Sequence, residues 1–192
     1  NHLIQGTGTN QPSRQSDGSL LFDGVDNYLK TAAFAISQPW TAYLLIKQIT
    51  WLAVGDRFVD GDTADNWLIW QTANSPDIAI FAGVTVAHNS DLAIDTYGVV
   101  SAVFNGASSL LQVNNGTATT GDSGANNLSG FTLGAGAAPA NYSNIQVKEV
   151  LLYSVAHTAA QRTTVYTYLQ EVNAGGPVLN QWRPYRRGQG RR

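Results

Sequence analysis

Cysteine is absent from the 192 residues, which excludes disulfides, thiolate nucleophiles and Cys-ligated zinc or iron–sulfur centres. Methionine is absent too, even at position 1, as expected where the numbered chain begins inside a longer protein. Charge is scarce. Only 12% of residues are Asp, Glu, Lys or Arg, about half the globular average of ~25%. A coiled coil, a solvated helix bundle and a charge-driven disordered chain are therefore excluded. No run approaches the ~18 continuous apolar residues of a membrane-spanning helix, so no membrane span is expected. No signal-peptide pattern is read at the start. Glutamate occurs only at positions 149 and 171.

What charge there is lies unevenly. Arg183, Arg186, Arg187, Arg191 and Arg192 crowd the last ten positions, and all thirteen acids precede them. Residues 1–182 thus carry a net charge of −7, which does not suit specific nucleic-acid binding. The basic end fits contact with a polyanion or an acidic neighbouring subunit, or else a solvated tail broken by Gly188 and Gly190.

The dominant pattern is strand. Short runs rich in Val, Ile, Leu and aromatics are bounded by Gly, Asn, Asp, Ser and Pro clusters. Strands are predicted near 19–23, 27–30, 41–49, 67–71, 77–82, 97–105, 109–114, 131–134 and 145–153. The 99–104 run is apolar on both faces, as in a central strand between two layers. Asn114-Asn115-Gly116 supplies the positive φ angles of a tight turn, Asn105-Gly106 offers another, and 121–130 (GDSGANNLSG) reads as loop. One helix is predicted. Thr158 and Gln161 have capping-box spacing, and Val165, Leu169 and Val172 form one apolar face. Gly175-Gly176-Pro177 stops it. The expected fold is all-β: a two-sheet antiparallel jelly-roll sandwich with one short C-terminal helix. The expected organisation is an N-terminal arm (1–17), a domain (18–173) and an Arg-rich tail (174–192).

Three ordered segments carry a resemblance: SLLFDGVDNYLK (19–30), YGVVSAVFNGASSLLQVNNGTATTG (97–121), and 131–169 with its closing IQVKEVLLYS and TAAQRTTVYTYL. Together they resemble the opening strand, central hairpin and closing strand plus helix of laminin-G-like, concanavalin A-like jelly rolls. QPWTAYLLIKQITW (38–51) is similar to a variant found in bacteriophage proteins and bacterial surface proteins. The resemblance implies a virion or extracellular surface module, oligomeric or part of an assembly, whose partners are cell-surface glycans or other virion subunits. The same fold also hosts polysaccharide lyases and glycoside hydrolases, so it does not decide function.

Chemistry in the residues is sparse. Glycoside hydrolysis needs two carboxylates at a set separation, and the Glu-x-Asp-x-x-Glu motif of concanavalin A-like glucanases is missing. Glu149 falls where the family carries a structural glutamate. A lyase base could be His88 or Tyr97, yet neither sits in a recognisable motif, and His157 reads as a residue beside the helix cap. No catalytic residue is therefore expected.

The segment DRFVDGDTADN (56–66) leaves two readings open. Asp60, Asp62 and Asp65 could wrap Ca²⁺ around Gly61, or these residues are turn formers. Sugar binding in this fold uses aromatic platforms with loop amides and acids. Trp51, Trp67 and Trp70 flank the Asp-rich segment, and Asn89, Asp91, Asn126 and Asn127 could complement them. Trp67 and Trp70 are three apart, so in a strand one faces the core and one is accessible. The alternative is that the tryptophans are all buried filling.

Overall fold

The computed structural model describes residues 2–50, 55–73, 75–89 and 92–176. Among them the chain forms β1 (Ser13–Arg14), β2 (Leu20–Asp23), β3 (Leu29–Lys30), β4 (Trp40–Gln48), β5 (Arg57–Asp60), β6 (Leu68–Ala73) and β7 (Ser75–Phe81). These are followed by β8 (Thr85–Asn89), β9 (Tyr97–Phe104), β10 (Ser109–Val113), β11 (Thr119–Gly121), β12 (Thr132–Leu133), β13 (Asn144–Tyr153) and α1 (Ala159–Asn173). The strands pair into a seven-stranded sheet ordered β1-β2-β13-β4-β9-β10-β11 and a six-stranded sheet ordered β3-β12-β5-β6-β7-β8. The ladders between neighbouring strands are antiparallel.

Alternation along β4 explains the layering. Trp40, Ala42, Leu44 and Ile46 point between the sheets, where they meet Phe22, Phe58, Trp67, Ile69, Ile78, Ile80, Val100 and Phe104. Trp40 stacks on Phe104 at 3.9 Å between centroids, and Trp67 meets Trp40 edge-on at 4.8 Å. Tyr43 and Leu45, on the opposite face of β4, join Val99 and receive Val165, Leu169 and Val172 of α1. So α1 covers the outer face of the seven-stranded sheet. Burial of its three apolar residues contributes about 1.5–3 kcal/mol each. Its capping box forms as expected: the Thr158 side chain accepts from the Gln161 amide, and the Gln161 side chain accepts from the Thr158 amide.

The predicted strands are all present to within a few residues, and Asn114 and Asn115 take φ of 50° and 55°. Four strands lie outside that prediction. β1 and β11 are too short for periodicity to show. β8 and β5 sit among Asn and Asp residues that read as turns. The Arg57–Asp60 stretch is therefore strand rather than loop. Residues 2–17 contact the rest of the chain through backbone hydrogen bonds. Ile4 and Lys30 exchange backbone hydrogen bonds of 2.9 and 3.0 Å, the Tyr28 amide donates to the Asn10 carbonyl, and β1 pairs with β2.

Candidate functional site

Among the described residues no helix lies over the outer face of the six-stranded sheet. Register places Arg57, Trp70 and Ala79 side by side in one row of that face, while Ile69 and Ile80, one residue away, fill the core. Trp70 is half-buried, and the Arg57 guanidinium lies 4.7 Å from its ring centroid. Arg57 Nη2 also donates to Asp65 Oδ1 at 2.9 Å, and Asp65 stands largely in solvent. Arg57 Nη1 and Trp70 Nε1 are shielded and have no hydrogen-bond partner. An indole, a largely buried guanidinium and a solvent-facing carboxylate thus form one cluster on the outer face of this sheet. Sequence reasoning missed Arg57, because within DRFVDGDTADN only the acids and the flanking tryptophans stood out.

Trp67 is corrected from platform to core. It is 0% exposed, and its Nε1 donates to the Gly130 carbonyl at 3.1 Å. Trp70 is therefore the accessible member of the pair. Asn126 is partly exposed, but its side chain holds two loops together: Nδ2 donates to the Asn66 carbonyl at 2.9 Å. Asn66 in turn donates to the Asn127 carbonyl and to Ser129 Oγ. These contacts pin the 61–67 turn, which carries Asp65, against 124–130. Trp51, Asp91 and the five tail arginines lie outside the described residues, as does the side chain of Asn89.

The calcium reading of Asp60, Asp62 and Asp65 is corrected too. Among the described residues no three acidic or histidine side chains stand together as a metal site. Asp60 is 1% exposed. Its Oδ1 accepts from the Gly61 amide at 2.7 Å and its Oδ2 from the Ala137 amide at 2.9 Å. Burial pushes its carboxyl up from the usual carboxylate range, against the pull of those two amides. Asp65 is turned to Arg57 instead. Asp62 contributes its carbonyl, which accepts from Lys30 Nζ at 2.8 Å. Lys30 reaches the Ala137 carbonyl as well, at 3.1 Å. The Asp60 carboxylate is thus a structural staple, whereas Asp62 Oδ1 is shielded without a hydrogen-bond partner.

Of the residues weighed for acid–base work, the side chain of His88 lies outside the described residues, and Tyr97 and His157 are held in separate hydrogen-bonded settings. The Tyr97 hydroxyl lies 3.0 Å from Asp17 Oδ2 and 3.1 Å from Gln146 Oε1, and burial pushes it up to about 12. His157 Nδ1 sits 2.7 Å from the Tyr43 hydroxyl between sheet and helix. Burial lowers its pKa below 6.5, with Arg162 adding to the effect. Glu171 is exposed on α1, and Glu149 lies half-buried on β13.

No family model and no curated protein match the chain. Among solved structures it is similar to a Trypanosoma rangeli sialidase (TM-score 0.61, 12% identity, 80% of this chain), of which it spans only 28%. It is also similar to a heptameric pentraxin of Limulus polyphemus (0.61, 12%, 77% of this chain and 81% of that one). Domain 4 of an extracellular arabinanase of Geobacillus stearothermophilus, solved with arabinotriose, is a third (0.59, 14%, 85% and 82%). At such identities the likeness shows the fold alone: a two-sheet antiparallel jelly-roll sandwich. Enzymes and non-enzymes both stand among these neighbours, so the fold alone assigns no activity.

Proposed function

We propose that this domain is a non-catalytic carbohydrate-binding module on a virion or cell surface, where it meets glycans or neighbouring subunits. The observation that carries the reading is the Arg57–Trp70–Asp65 cluster on the outer face of the six-stranded sheet. An aromatic surface beside a fixed donor fork and a carboxylate matches a polyhydroxylated ring with alternating C–H and O–H groups. The arabinotriose-bound neighbour domain supports the ligand class. Weak single contacts would gain strength from repetition in an assembly.

A glycan array read with the wild-type protein and with Trp70→Ala tests the site. Binding is expected for the wild type, with at least tenfold loss in the variant, which corresponds to about 1.4 kcal/mol. Equal binding by both proteins refutes the site, and release of shortened oligosaccharide refutes the non-catalytic role. Mass spectrometry of purified particles tests the virion assignment.

A further inference from the structure

β13 carries an irregularity that gathers ionisable groups. Its ladder with β4 shifts register between Val147 and Glu149, which makes Lys148 the extra residue of a β-bulge. The bulge changes which residues face the core. Before it, Ile145 and Val147 point between the sheets; after it, Val150 and Leu152 do. Leu151 and Tyr153 pack on the α1 side. Lys148 and Glu149 therefore fall consecutively on the α1 side, where strict alternation would separate them. Both line one cavity of about 270 Å³, together with Arg14, Asp17 and Val172 of α1.

The Lys148 side chain is 11% exposed, and its Nζ lies 3.6 Å from Asp17 Oδ2 and 4.2 Å from the Tyr97 ring centroid. That Nζ also donates to Oδ1 and the carbonyl of Asn173, at 3.1 and 3.2 Å. Asn173 is the last residue of α1. An amine held against a carboxamide is placed for acyl transfer once it loses its proton. Of the two carboxylates in the cavity, one suits that proton. No hydrogen bond or ion pair from the described residues reaches Glu149, and burial raises its pKa, as a group that takes and returns a proton requires. Asp17 is held down to about 2, chiefly by the Ser19 hydroxyl, and stays an ionised counter-ion. We propose that Lys148 and Asn173 join in an intramolecular isopeptide bond, with Glu149 as the proton carrier. The Glu149 carboxylate takes a proton from the Lys148 ammonium, and the freed Nζ lone pair attacks Asn173 Cγ. The C=O electron pair moves onto Oδ1 and returns as the Cγ–Nδ2 bond breaks. Glu149 gives its proton back to the leaving nitrogen, and the second Nζ proton departs with it as ammonium. Ammonium and carboxamide thus become a secondary amide and free ammonium; nothing is oxidised or reduced. The bond ties the end of α1 to a strand flanked by β2 and β4. A pull on the chain beyond the helix then passes into the sheet instead of peeling α1 from it.

Intact-mass measurement and tryptic mapping of the full-length chain are the test. The wild type should weigh one ammonia less than its sequence. Trypsin cleaves after a free Lys148 and after Arg162, releasing residues 149–162. An acylated Lys148 resists, so residues 58–162 should appear joined to 163–183. Lys148→Arg should restore the full mass. Glu149→Gln, shown to be folded by a cooperative urea transition, should slow formation roughly 100-fold, the lower end for general acid–base catalysis. A wild type at full mass with free 149–162 overturns the bond. Ammonia loss that persists in K148R overturns it as well, because the loss then arises at another amide. Linkage at the wild-type rate in folded E149Q overturns the role of Glu149.

Discussion

Replacing Asp60 by alanine should destabilise the domain by about 2–5 kcal/mol without affecting any ligand. The carboxylate is 1% exposed, and its two oxygens satisfy the amides of Gly61 and Ala137. Both of those residues are buried. Each amide left unpaired costs about 1–3 kcal/mol, and the loss is partly offset because a desolvated carboxylate disappears with the mutation. Asp60→Asn retains one acceptor and should cost roughly half as much. The pH dependence has a definite sign. Burial raises the Asp60 pKa in the fold above its ordinary 3.8, so the folded state holds that proton more tightly than the unfolded chain. The resulting stabilisation is fully present below the unfolded value and is lost as pH rises through the folded one. The gap between wild type and Asp60→Ala should therefore be wider near pH 4 than at pH 7. Urea unfolding followed by tryptophan fluorescence measures this. With a slope of about 2 kcal/mol/M, the midpoint should fall by 1 M or more. An unchanged midpoint refutes the staple. A midpoint raised by calcium in wild type, but not in Asp60→Ala, refutes it differently, by making the carboxylate a metal ligand.

Trp67→Ala should cost about 3–5 kcal/mol through the cavity it leaves beside Trp40 and Phe104. Trp70→Ala should change stability far less and act on glycan binding, so paired unfolding and array measurements separate the two neighbours. Thr158→Ala should lower stability by about 1 kcal/mol through loss of the reciprocal cap; a midpoint equal to wild type would deny the cap any role. The His157 pKa is lowered in the fold, so below pH 6.5 the unfolded chain binds the extra proton more readily. Stability should therefore decline as pH falls from 6.5 toward the folded value. His157→Asn should flatten that decline in urea titrations between pH 7 and 5.

Legibility followed the range of the interactions. The cap at Thr158 and the apolar face of α1 depend on residues within one or a few turns of each other, and both were readable. The double-sided apolar run of β9 announced a central strand, and the spacing of Trp67 and Trp70 announced opposite faces. β5 was obscured because Asp60 looks like a turn former. Nothing local reveals that Ala137, 77 positions later, supplies its second partner. Arg57 was passed over for a similar reason. Its meaning lies in the neighbour across the ladder, Trp70, and in the Asp65 turn.

Strand periodicity, turn chemistry and the helix cap were determined by the chain alone, because each is a preference of a few adjacent residues and survives any packing consistent with it. Tertiary structure decided the rest: which of Trp67 and Trp70 is buried, that the Asp60 carboxylate is tied to Gly61 and Ala137, and that Arg57 meets Trp70 across the ladder. Those outcomes depend on which surfaces two sheets, a helix and distant loops happen to cover, and coverage is a property of the assembled sandwich, not of any segment in it.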